Sequence, residues 1–158
     1  MNKDKYKNHK QGFVVSEILI SLAIFAVLAA VVLIPLISFR KDRSLAYDTQ
    51  TVSSVLRQAR NQTLSSKNSS VYGVHFASSK VTLFTGTSYS SSDTTNEDFV
   101  LSSTDTILTI TLTGGGSDIV FNRLTGETSQ DGTVVISSSG VSETKTVTIY
   151  KTGLVDSQ

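Results

Sequence analysis

The sequence predicts an α+β fold: one long N-terminal helix, apolar in its first half and amphipathic in its second, packed on an antiparallel β-sheet head. Three observations carry that expectation. Ile18 to Phe39 contains no charged residue. Leu45, Val52, Leu56 and Ala59 then return at spacings of seven, four and three, as one helix face requires. From Val71 onward, short runs rich in β-branched residues alternate with breaks of Ser, Asn and Gly.

In chain order, residues 1–12 read as a basic leader carrying Lys3, Lys5, Lys7 and Lys10 and ending in Gly12. Residues 13–39 read as the membrane part of the helix. At about 1.5 Å per residue the uncharged run spans a bilayer core of roughly 30 Å. A secretory signal would have a shorter apolar core and a small-residue cleavage site, and none lies between Ala23 and Arg40. A lipoprotein signal would need a cysteine, and the chain has none. Glu17 is the one carboxylate at the start of the run, where an ionisable group is costly without a partner. Pro35, the sole proline, is expected to kink the helix, because it lacks an N–H and its ring clashes one turn back.

Residues 40–66 continue as amphipathic helix, with Val55 widening the stripe and Arg57, Gln58 and Arg60 off it. Ser65-Ser66-Lys67-Asn68-Ser69-Ser70 ends it, since these residues favour turns. Residues 67–158 form the head. Val71–Phe76 and Val81–Thr85 make a hairpin about Ala77-Ser78-Ser79-Lys80. Residues 87–96 are a loop. Thr106–Thr113 alternates, which assigns Leu108, Ile110 and Leu112 to one face. Gly114-Gly115-Gly116-Ser117 turns the chain into Asp118–Asn122. Thr133–Ser137 and Thr144–Lys151 pair last, and Gly153-Leu154-Val155 is a short tail.

The N-terminal residues Gly12-Phe13-Val14-Val15-Ser16-Glu17 and the run behind them resemble the start of type IV prepilins. The resemblance implies that a prepilin peptidase cuts between Gly12 and Phe13 on the cytoplasmic side and methylates Phe13. It implies that Glu17 faces the N-terminal amine of a neighbouring subunit during assembly. Two departures stand out: Ser16 occupies a usually aliphatic position, and Pro35 falls one place after the family proline, which aligns with Ile34. A further resemblance, to minor pilins and pseudopilins of the GspH/FimT type, rests on Val52–Arg60, on Ile119-Val120-Phe121, Gly126, Val134-Val135-Ile136 and Val147-Thr148-Ile149, and on Gly153. It implies a pilin-like structural subunit of a type IV pilus or a type II secretion pseudopilus. Its implied partners are the peptidase, other pilins or pseudopilins, and an inner-membrane assembly platform driven by a cytoplasmic ATPase. Its implied place is the bacterial inner membrane, single-pass with a cytoplasmic N-terminus and the head outside, and then the filament.

The alternative function is a minor pilin whose head binds DNA or a surface. Phosphate binding needs clustered Lys and Arg. From Ser44 onward the chain carries seven basic residues against ten acidic ones, and only Arg123, Lys145 and Lys151 suggest a small patch, so nucleic acid is disfavoured. Catalysis is not expected. Ser and Thr make up 37 of the 98 residues from Asn61, but a hydroxyl needs an activating base to attack. Ser142-Glu143-Thr144-Lys145 has the S-x-x-K spacing but introduces a strand rather than a helix. His75 has no evident partner. Gly114–Gly116 lacks the Lys-Ser/Thr of a phosphate loop. Asp93, Glu97, Asp98 and Asp105 do not follow the spacing of a calcium loop. No catalytic residue, cofactor or metal is expected.

Overall fold

A computed structural model describes residues 9–158, with side chains described except at residues 9–13 and 32–38. Helix α1 spans His9–Leu64. The chain divides into two compact units after Phe39. In the first, Val14–Val31 is long and apolar enough to cross a membrane, and none of that stretch is buried. Gly12, Phe13 and Pro35 lie within α1, but their side chains, and with them the expected kink, fall outside the description. Leader residues 1–8 are likewise outside the described residues.

In the second unit α1 turns Leu45, Val52, Val55, Leu56 and Ala59 inward, all at most 2 % exposed. The stripe found by spacing is therefore the face that packs. The helix stops where Ser65 N–H and Ser66 N–H close on Asn61 O and Thr63 O. Ser66, Asn68 and Ser69 then take left-handed backbone angles around a 3-10 turn, Lys67–Ser69. Thr63, fully buried, ties this exit to the first strand: its hydroxyl accepts Tyr72 N–H at 2.9 Å and donates to Tyr72 O at 3.4 Å.

Eight strands follow: β1 Tyr72–Ala77, β2 Lys80–Thr85, β3 Glu97–Val100, β4 Asp105–Leu112, β5 Asp118–Val120, β6 Gly132–Ser138, β7 Thr144–Ile149 and β8 Val155–Ser157. They form two antiparallel four-stranded sheets, ordered β3-β2-β1-β5 and β4-β6-β7-β8. Alternation sends Tyr72, Val74, Phe76, Val81, Leu83 and Ile119 from the first sheet into one core with Val134, Ile136, Val147 and Ile149 from the second and the α1 stripe. The β1–β2 turn joins the sheets, since Leu101 N–H bonds Ser79 O and Ile107 N–H bonds Ser78 O.

Three details differ from the sequence expectation. β3 and β8 are strands where a loop margin and a tail were expected. Both are short edge strands with charged residues, so neither shows a two-residue apolar period. In β4 a bulge after Ile107 inserts one residue against β6. Ile107 is buried and Leu108 is 62 % exposed, which removes Leu108 from the face it was expected to share with Leu112.

Two of the four edge strands, β5 and β8, are partly closed by side chains. On β8, Val155 O accepts Arg57 and Ser157 N–H bonds its neighbour Asp156. On β5, Val120 N–H bonds Gln130 Oε1. A strand whose outward groups are already bonded is a poor template for unintended pairing. Behind the first sheet, Gly73 lies under Phe84, and any Cβ there would collide with that ring and with Ile119 O.

Candidate assembly interface

Glu17 sits on α1 with Val14, Ile18, Ser21, Leu22 and Phe25, which together line one shallow hollow along the helix. The spacing is three and four, so these side chains share a face. Val14, Ile18, Leu22 and Phe25 are 53–71 % exposed. Ser21 turns inward on its own helix, its hydroxyl donating to Glu17 O at 2.8 Å. The ion pairs His75–Asp118, Lys80–Asp98 and Lys145–Glu143 lie in the head. The result is one carboxylate on an otherwise apolar exposed face.

The basic side chains of the head mostly hold loops. Arg57 donates to Val155 O at 3.0 Å. Arg60 Nε donates to Gly126 O at 3.1 Å, and its Nη2 reaches Thr152 O at 3.5 Å. Arg123 donates to Ser69 O, and Lys41 to Ser139 O at 2.7 Å. Lys145 pairs with Glu143 at 2.7 Å, so the lysine of the S-x-x-K run is bound to the glutamate between rather than poised on Ser142. Lys145 lies near the start of β7 and Lys151 past its end, roughly 20 Å apart at strand rise. Lys145 and Lys151 thus stand at opposite ends of β7.

His75, which sequence left without a partner, has two. Its Nδ1 lies 2.6 Å from Asp118 Oδ1, its register partner across β1 and β5. The Tyr89 ring stacks flat on it at 3.9 Å and meets Phe84 edge-on at 5.8 Å. The same rung continues through Thr82 to Asp98, which also pairs with Lys80 at 2.6 Å. The imidazole thus anchors the Gly86–Asn96 loop to the sheet, and its face is covered.

The acidic residues go to separate partners. Asp93 closes a turn on Thr95, whose backbone N–H and hydroxyl hold its carboxyl below the usual range. The Lys80 ammonium, then the Thr82 hydroxyl, hold Asp98 low, and Asp98 in turn raises Lys80. Asp105 is 5 % exposed and turns toward α1, where it meets Asp48, 3 % exposed. Asp48 did not register as a candidate in the sequence. The available signal was the seven-residue gap between Leu45 and Val52, which Asp48 divides into helical spacings of three and four.

The sequence comparisons agree with this architecture. No curated protein and no solved structure gives a significant match. A family model described as type II transport protein GspH matches residues 48–153, more than half of the chain and nearly all of its head. The chain belongs to the GspH family of pseudopilins and minor pilins.

Proposed function

We propose that this GspH-family subunit is cut between Gly12 and Phe13 by a prepilin peptidase, methylated on Phe13, and drawn from the inner membrane into a filament by its N-terminal helix. The observation that carries this reading is the lone Glu17 carboxylate on an exposed apolar helix face. In lipid that face meets acyl chains. In a filament it meets the helices of other subunits, and apolar contact is exchanged for apolar contact at little net gain. Discrimination then falls to the carboxylate.

Opposite charges about 4 Å apart attract by roughly 4 kcal/mol at an effective dielectric near 20. Burying either charge alone costs more than the pair returns. Pairing of Glu17 with the new N-terminal amine of a neighbour therefore rejects wrong registers more than it adds adhesion. The subunit starts single-pass, N-terminus in the cytoplasm and head outside. It works with other pseudopilins and with an assembly platform driven by a cytoplasmic ATPase. The head contributes surface and stiffness, in keeping with a structural family. The DNA-binding or adhesive alternative gains no support from basic side chains committed to backbone carbonyls and acidic neighbours.

The test is the intact mass and N-terminal peptide of the native protein, in sheared surface filaments and in envelopes. N-methyl-Phe13 in the sheared fraction identifies a pilus subunit. The same terminus confined to envelopes identifies a pseudopilus or initiating subunit. Retention of residues 1–12 in mature cells refutes the proposal.

A further inference from the structure

Asp48 and Asp105 are the two buried carboxyls among the described residues, 3 % and 5 % exposed. They come from different elements, Asp48 from α1 and Asp105 from the first position of β4, and share neighbours: Ser44, one helical turn before Asp48, donates to Asp105, and Ser102, whose carbonyl accepts Asp105 N–H, donates its own N–H to Asp48. Asp105 is well supplied with donors: the Ser44 hydroxyl to Oδ2 and the Thr104 hydroxyl to Oδ1, each at 2.9 Å. Its register partner Ser138, 4 % exposed, lies beside it across β4 and β6. Asp48 receives one donor, Ser102 N–H at 2.7 Å on Oδ2.

The charged groups on the surrounding elements have other partners or are exposed. On α1, Lys41 donates to Ser139 O, while Asp42 and Arg43 are on the exposed side. Lys80 of the hairpin is paired with Asp98, and Lys145 of β7 with Glu143. Two ionised carboxylates buried side by side, each stripped of water, cannot both persist without a neutralising charge.

We propose that Asp48 and Asp105 hold one proton between them, and that this proton is a pH-dependent catch fastening α1 to the Leu101–Thr104 loop and the start of β4. The proton resides on Asp48, the poorer in donors, and its hydroxyl donates to the Asp105 carboxylate. Burial raises Asp48, Ser102 N–H opposes, Asp105 raises it further and the Ser102 hydroxyl opposes again, with burial and Asp105 prevailing. Burial also pushes Asp105 upward, but hydrogen bonds from Ser138, Ser44, Thr104 and Asp48 outweigh it and hold that group low. A raised group stabilises the fold below its unfolded value and loses that contribution as pH rises through its folded value. A lowered group stabilises above its unfolded value and loses that contribution as pH falls through its folded value. The catch therefore loosens as pH rises through the folded value of Asp48 and as pH falls through that of Asp105.

The test uses the full chain in neutral-detergent micelles with carboxyl-13C aspartate, which separates any protonated aspartate from Glu17 in the infrared. In a pH series, a protonated aspartate band is expected to persist above the pH at which the other aspartates have ionised, and to vanish in Asp48→Asn. That variant mimics the protonated side chain. Its thermal midpoint is expected to fall less than that of the native chain as pH rises from the ordinary aspartate range through the folded value of Asp48. Absence of the band in the native chain, which needs no variant, overturns the proposal. So does a parallel fall in Asp48→Asn. A native midpoint lowered by EDTA at neutral pH also overturns it, because a bound cation would then be neutralising the pair.

Discussion

Replacing Thr63 by valine isolates one hydrogen-bonding group at the point where the helix hands over to the sheet. Valine has nearly the volume of threonine, so the change removes the hydroxyl and leaves shape almost intact. Thr63 is fully buried, and its hydroxyl is the acceptor for Tyr72 N–H at 2.9 Å. That N–H points away from β2, toward the side where β5 pairs, so β2 offers it no second acceptor. Tyr72 is 4 % exposed, which denies it water. Stranding one buried donor costs about 1–3 kcal/mol, and losing the weaker bond to Tyr72 O adds little. For a unit of this size, about 2 kcal/mol lowers the thermal midpoint by roughly 8 °C. Thr63→Ser keeps the hydroxyl and loses only a methyl, at a cost of about 1 kcal/mol. Circular dichroism melts of the full chain in micelles would rank the variants native, Thr63→Ser, Thr63→Val. If valine is as stable as the native residue, or serine is the worse, the hydrogen bond is not what holds this junction.

The other expectations are briefer. Gly153→Ala should destabilise the head by at least about 2 kcal/mol in the same melts, because the residue has φ +75° and a Cβ would collide with Gly126 O. Glu17→Gln should leave membrane insertion and cleavage unchanged while abolishing recovery in filaments; unchanged recovery would remove the charge-register argument. Asp98→Asn should flatten the acid limb of the stability profile. The lowered Asp98 contributes above its unfolded value and loses that contribution as pH falls through its folded value, and the effect should shrink with added salt because the pair is exposed. Fluorescence anisotropy of labelled duplex DNA with the full chain in micelles should show no salt-sensitive binding; affinity falling steeply with salt would reinstate a DNA-receptor head.

The linear pattern determined the broad architecture. An uncharged run long enough for a bilayer, an apolar stripe at helical spacing and a serial set of β-branched runs specify element type, because each reflects a backbone period that side chains follow locally. Leu45, Val52, Leu56 and Ala59 were legible for that reason, and they are buried. Glu17 was legible because it breaks an otherwise apolar run.

What depends on distant partners was not legible. Leu108 looked inward by alternation, and a single bulge, set by how β4 must meet β6, turned it out. β3 and β8 exist because β2 and β7 offer them edges, not because their own residues demand a strand. His75 acquired Asp118 and Tyr89 only through strand register and the return of a loop. Asp48 and Asp105 lie 57 positions apart in the sequence, and nothing in the linear pattern links them. Only the docking of α1 against the start of β4 removes their water and makes the ionisation of each depend on the other.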